Sequence, residues 1–474
     1  MKPLQGAASA FADTCAGCHG AGNGRAPDLF ADAFLAARTD EQLHAAIANG
    51  VAGSEMPPFR EMLADDQIWQ MVSYLRMRGI VAKVQGQSSP PDFVPDPRNE
   101  VIRTARQTFR IDVVAAGLDT PWGMAFLPDG RTLVTERPGR LRIIDRNGKL
   151  LPDPVRGTPA VFAVQDGGML DVAAHPDYRR NGWIYLAYTE AASAAASQDG
   201  GGKPAEAPSM TVIVRGQIDR RGRWVKNQEI FRAPAAFYTS SGVHYGSRLL
   251  FDGKGHLFFS IGDRGEMRNA QRLDTPLGKI HRVNDDGSVP ADNPFVGVAG
   301  AVPTIWSYGH RNPQGLAFDP SSGLLWESEH GPIGGDEINI IEKGRNYGWG
   351  VVSLGFQPGI ERRSAPDMVD PVAYYSPSIA PSGIGFYAGD RYPGWKGNLF
   401  VAGLAGLQLR RLEIEGRKVV GQEVLFSRFG RTRAVRTGPD GLLYVLLQNP
   451  TGAGTDIPLS GGAPGMLVRL APQP

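Results

Sequence analysis

Cysteine is almost missing from this chain. Its 474 residues contain two, Cys15 and Cys18, so no disulfide framework staples the fold. A four-cysteine zinc site is excluded with it. Long apolar runs are missing too, and nothing approaches the ~20 residues of a membrane span. Neither charge sign dominates: 50 basic and 48 acidic residues leave a net +2, which offers no electrostatic footprint for nucleic acid or an anionic membrane. An export leader is also not visible, because Met1-Lys2-Pro3-Leu4-Gln5 runs almost directly into the first motif. The expectation is a chain numbered from its mature start, its export signal removed. What the sequence has in quantity is turn formers, 61 Gly and 37 Pro, which argue for many short strands. The length exceeds one ordinary core and predicts two or three domains.

Both cysteines lie in Thr14-Cys15-Ala16-Gly17-Cys18-His19. This is C-x-x-C-H, the attachment site of a c-type haem. Two thiols at this spacing can add to the two vinyl groups of one porphyrin, and His19 then lies under the iron. A zinc half-site would need further ligands, and no second cysteine pair exists. A haem moves electrons, so the rest of the chain should make or consume them.

The surrounding residues read as helices. Ala8, Phe11, Ala12 and Cys15 share one face; Asp40-Glu41-Gln42-Leu43 opens a helix that ends near Gly50. Asp65-Asp66 opens another, with Ile68, Met71, Val72, Tyr74 and Leu75 as its apolar stripe, ending near Gly79. So small a unit needs the haem as part of its core. Residues 1–83 resemble a class I cytochrome c, an all-α domain. That resemblance implies a methionine as second axial ligand, and Met56, in the loop Gly53-Ser54-Glu55-Met56-Pro57-Pro58-Phe59, matches it. His44 is the alternative, but it falls inside a helix and reads as surface or core. Covalent haem attachment places the expected location in the periplasm or outside the cell.

Residues 84–106 are rich in Pro, Gly and Ser and read as a stiff linker. From residue 107 a unit recurs: apolar strand, tight polar turn, apolar strand. The six instances begin near Gly123, Leu170, Arg248, Gly315, Gly383 and Ala434. Their turns, such as Pro128-Asp129-Gly130 and Pro439-Asp440-Gly441, carry hairpin chemistry. One hairpin per 50 to 75 residues predicts an all-β six-bladed propeller over 107–474, in preference to a sandwich or two barrels. The strand near Gly465-Met466-Leu467-Val468 is expected to close the ring on its first strands. Residues 191–209, rich in Ala, Gly and Ser, read as a surface excursion.

Polar clusters border these hairpins. Tyr308-Gly309-His310-Arg311-Asn312-Pro313-Gln314 offers donors to a planar anion. Glu329-His330-Gly331-Pro332-Ile333-Gly334-Gly335-Asp336-Glu337 can turn backbone carbonyls toward Ca²⁺. Val243-His244-Tyr245-Gly246-Ser247-Arg248 and Gly430-Arg431-Thr432-Arg433 are the other two. With Gly309-His310-Arg311-Asn312-Pro313-Gln314-Gly315-Leu316-Ala317-Phe318, Asn284-Asp285-Asp286-Gly287-Ser288-Val289-Pro290 and Asp336-Glu337-Ile338-Asn339, residues 107–474 resemble the soluble quinoprotein glucose/sorbosone dehydrogenases, in particular the aldose sugar dehydrogenases.

The resemblance implies pyrroloquinoline quinone (PQQ) held with Ca²⁺. By position it implies His244 as general base and Arg311 as the group that polarises the quinone oxygen. Asn312, Gln314, Arg431 and Arg433 match cofactor-holding positions, and the carbonyls of Gly331 and Pro332 match Ca²⁺ ligands. Three positions depart from relatives. Val243 stands where an aspartate can precede the base, Gln165-Asp166 where a glutamine touches the sugar, and Leu404-Ala405-Gly406 where a cofactor-binding lysine falls. The expected reaction is oxidation of an aldose to its lactone, electrons passing to the haem on Cys15 and Cys18 and then to an outside cytochrome or quinone. Oxidation of sorbosone or another sugar aldehyde, and Ca²⁺-dependent lactone hydrolysis with a passenger cytochrome, are the alternatives.

Overall fold

The computed structural model describes residues 5–19, 26–86, 96–192, 207–448 and 465–473. Helices come first: α1 Gln5–Thr14, α2 Ala16–His19, α3 Asp32–Ala36, α4 Asp40–Asn49 and α5 Asp65–Gly86. Their core is apolar, with Phe11, Leu35, Leu43, Ile47, Ile68, Met71, Val72 and Leu75 all buried. Helix α4 starts at a capping box: Gln42 N donates to the Thr39 hydroxyl at 3.2 Å, and Thr39 N donates to Gln42 Oε1 at 2.9 Å. One buried arginine ties three helices together. Arg76 of α5 bonds Asp40 Oδ1 at 2.8 Å, Leu35 O at 2.5 Å and Arg38 O at 2.7 Å.

The sequence reading ends the last helix near Gly79, but α5 runs on to Gly86. A single interior glycine costs a helix only about 1 kcal/mol, and the helix continues through it. Helix α3 has no counterpart in that reading.

Six antiparallel sheets follow, one per expected hairpin. Blade one joins Arg431–Thr437, Leu443–Gln448, Gly465–Pro472 and Thr108–Leu118. Blade two is Pro121–Phe126, Thr132–Glu136 and Arg140–Ile144; blade three spans Met169–Ala174 to Trp224–Arg232. Blade four spans Leu249–Phe251 to Ile305–Tyr308, blade five Pro313–Phe318 to Ala373–Tyr375, and blade six Pro381–Phe386 to Lys418–Phe426. As expected, the late strand closes the ring, pairing Val468 with both Val113 and Val445. The ring therefore has no open seam there.

Glycines let neighbouring blades approach. A Cβ on Gly383 of blade six would lie 2.9 Å from Ala434 Cα of blade one, a separation side-chain carbons do not tolerate. The strand Val101–Arg103 lies inside the stretch expected to be linker; it pairs with Thr108–Arg110 and extends blade one outward. The proline-rich stretch 87–95 and the excursion at 193–206 lie outside the described residues. Among the described residues no helix is long and apolar enough to cross a membrane.

Candidate active site

In the helical segment, α1 and α2 deliver Cys15, Cys18 and His19 to one cavity of about 590 Å³. Met56 lines the same cavity, among Leu43, Ile47, Met71 and Leu75, and its size falls in the range of ligand pockets. His19 Nδ1 lies 2.9 Å from Pro27 O. A carbonyl can only accept, so Nδ1 carries the proton and Nε2 is the free nitrogen, the arrangement an iron ligand needs. His44 is elsewhere. Its ring stacks on Trp69 at 4.2 Å, and its Nε2 meets Asp65 Oδ1 at 2.9 Å.

In the propeller, four loop ends converge. His244 sits before the first strand of blade four with φ +56°, a strained value for a residue with a Cβ. Its Nδ1 meets Asp263 Oδ1 at 2.7 Å. Asp263 is almost fully buried and held three further ways: Trp349 Nε1 donates to Oδ2 at 2.6 Å, Gly265 N donates to Oδ1 at 2.8 Å, and its own N–H donates to Arg311 O at 2.8 Å. Burial alone would push its carboxyl up. The hydrogen bond and charge of His244, with the indole N–H, outweigh burial and hold it below the usual range. An ionised Asp263 fixes the proton on Nδ1 and leaves Nε2 as the basic nitrogen. The sequence reading missed Asp263, since Gly262-Asp263-Arg264-Gly265 reads as an ordinary turn.

Arg311 lies beside this pair. Its guanidinium is 5.3 Å from the Trp349 ring and donates to His330 O at 3.2 Å, while its Nε has no partner. Arg433 donates to Gln448 Oε1 at 3.0 Å and to Gln314 Oε1 at 2.8 Å. Burial, then the charges of Arg431, Arg248 and Arg137, lower its pKa well below the usual arginine value. Arg431 Nε and His330 Nε2 are also buried without partners. Asp171 pairs with Arg248 at 3.1 Å, and Asp166 opposes the charge of Arg431 and Arg433; Asp166 Oδ2 also accepts from His244 N at 3.4 Å. Asn312 and Gln314 are brought to the same place but are partly committed: Asn312 Oδ1 accepts from Gly246 N at 3.2 Å.

The Gly331–Pro332 loop hangs from one buried carboxylate. Asp336 Oδ1 accepts from Gly331 N at 2.9 Å, and its Oδ2 accepts from Ser378 Oγ, Ile379 N and Ala380 N at 2.6–2.7 Å. Among the described residues no hydrogen bond reaches Gly331 O or Pro332 O. Orphaned donors and surplus guanidinium charge could hold an anionic ligand, and two free carbonyls could face a hard cation. Leu404-Ala405-Gly406 abuts it through Ala405 N, which donates to Ile379 O at 3.0 Å.

Residues 118–457 match the family described as Glucose / Sorbosone dehydrogenase, which is well over half the chain. The chain belongs to the glucose/sorbosone dehydrogenase family. Residues 3–75 separately match the family of the cbb3-type cytochrome c oxidase subunit III. The chain is thus a family member with a cytochrome c segment ahead of its propeller, and an oxidoreductase. The aldose sugar dehydrogenase YliI of Escherichia coli is 40% identical over 357 residues, covering 73% of this chain and 92% of that protein. Quinoprotein glucose dehydrogenase B of Acinetobacter calcoaceticus is 32% identical over 282 residues, 54% of this chain and 55% of that one. The PQQ-bound aldose sugar dehydrogenase of Streptomyces coelicolor superposes with a TM-score of 0.58 at 28% identity, over 79% of this chain and 100% of that one.

Proposed function

We propose that this glucose/sorbosone dehydrogenase is an exported enzyme that oxidises aldoses to lactones with PQQ and passes the electrons to its own haem. The observation that carries this is the His244–Asp263 pair, 2.7 Å apart, beside a half-buried Arg311 whose Nε is buried without a partner. Arg311, Asn312, Gln314, Arg431 and Arg433 would hold PQQ, the carbonyls of Gly331 and Pro332 would hold Ca²⁺, and Cys15, Cys18, His19 and Met56 would hold haem c. When bound, PQQ with Ca²⁺ supplies a two-electron acceptor, and haem c supplies a one-electron iron.

The protein's own part is proton handling and orientation. His244 Nε2 takes the proton of the anomeric hydroxyl as the C1 hydrogen leaves with its electron pair. Asp263 stabilises the imidazolium that forms. Arg311 aims its guanidinium where negative charge develops. Lactone formation releases two electrons and two protons, and an iron holds one electron at a time, so an external cytochrome or quinone must reoxidise the haem between transfers.

Reconstitution with PQQ and Ca²⁺, followed at the haem absorbance on adding aldoses, tests the reading. Reduction that needs both PQQ and sugar is the expected result. A haem that stays oxidised, or lactone hydrolysis without PQQ, overturns it.

A further inference from the structure

Blade five carries a long excursion, residues 342–372, between Asp336–Ile341 and Ala373–Tyr375. Its middle lies against the Gly331–Pro332 loop. Phe356 N donates to Ile333 O at 3.0 Å, and a Cβ on Gly335 would strike Gly355 N. The same stretch touches the helical segment. Phe356 packs on the apolar core of α1–α5. The Arg363 guanidinium lies 3.8 Å over the Trp69 ring of α5 and 5.6 Å from the Tyr374 ring. Tyr374 donates its hydroxyl to Glu41 of α4. One stretch of chain is therefore bonded on one side to the candidate cation loop. On its other side it meets the two helices that supply Leu43, Ile47, Met71 and Leu75 to the haem cavity.

We propose that residues 353–374 form a built-in seat for the haem domain, that its occupant is the α4–α5 face of the same chain, and that Arg363 is its positioning residue. The inference rests on the proposed transfer of electrons from the sugar site to the haem. A haem carried on a tether would meet that site in many orientations, whereas the Arg363–Trp69 stack and the Tyr374–Glu41 bond select one. The seat also leaves an exit. Val51 and Met62 line the haem cavity yet stay 45% and 67% exposed, so an outside acceptor reaches that rim without undocking the domain.

The test uses full-length holoenzyme and four forms: wild type, Arg363→Glu, Arg363→Lys and, from the haem side, Trp69→Ala. Arg363 Nη1 also donates to Leu354 O at 3.2 Å, and Trp69→Ala separates docking from any disturbance of that loop. Sugar-driven haem reduction is followed by stopped flow, sugar-driven reduction of a small dye at the propeller site is followed in parallel, and the radius of gyration is taken from X-ray scattering. Arg363→Glu and Trp69→Ala should slow haem reduction about tenfold or more, leave dye turnover unchanged and enlarge the particle. Arg363→Lys should restore most of the rate. Unchanged haem reduction and unchanged scattering in both disruptive variants overturn the seat. If sugar never reduces the wild-type haem, the functional reading fails instead, and scattering alone still decides whether the seat exists.

Discussion

Asp263 determines what His244 can do. With Nδ1 hydrogen-bonded to an ionised carboxylate, Nε2 is the nitrogen left for the proposed proton transfer. His244→Ala should lower sugar-driven haem reduction by about 10²–10⁴ and leave reduction by dithionite intact, read at the haem absorbance. Asp263→Asn should lower kcat while the KM for sugar changes little, and should shift the pH profile of kcat, because the imidazolium loses its counter-charge. His244 and Arg311 stand out in the sequence because each falls in a distinctive run. Asp263 does not, because its meaning comes from the geometry of blade four: the strand His256–Ile261 ends so that residue 263 returns beneath residue 244. Nothing in a turn-like Gly-Asp-Arg-Gly announces that.

Among the elements, α5 carries a single strong tie. Arg76 is buried with Asp40 and caps two carbonyls as well; burial pushes the Asp40 carboxyl up despite the arginine. Arg76→Ala leaves that carboxyl buried and unpaired, and should destabilise the haem domain by about 3–5 kcal/mol. Denaturant unfolding followed at the haem band checks it, with the propeller transition unmoved. Met56→Ala should convert the iron's visible spectrum to that of a haem lacking its sixth protein ligand. All six hairpins were readable because hairpin turns are encoded locally, by residues such as Asp129-Gly130. The strand Val101–Arg103 was hidden because its prolyl surroundings read as linker, and its pairing with residues 108–110 is a property of the assembled sheet.

At the scale of the whole molecule, the contact between haem domain and propeller includes a titratable group. Burial opposes ionisation of Glu41, but the Tyr374 hydroxyl, its own backbone amide, Thr39 and the Arg363 charge together hold its carboxyl below the usual range. Undocking removes the Tyr374 and Arg363 contributions together with the part of the burial that Tyr374 itself imposes, and the bond and the charge set the sign when they outweigh that burial. A carboxylate stabilised in the docked form favours docking above its free pKa and loses that effect as protons bind. The particle should therefore expand as pH falls below about 4, and Glu41→Gln should flatten that response in X-ray scattering.

The strand Gly465–Pro472 sits between residues from the beginning and the end of the propeller. During biosynthesis it is the last of the described blade strands to leave the ribosome. The toroid cannot shut until translation has passed residue 472, so the other five blades emerge before the first is complete. A chain released short of that ribbon would keep two unsealed flanks, each with bare backbone donors and acceptors open to pairing with another copy.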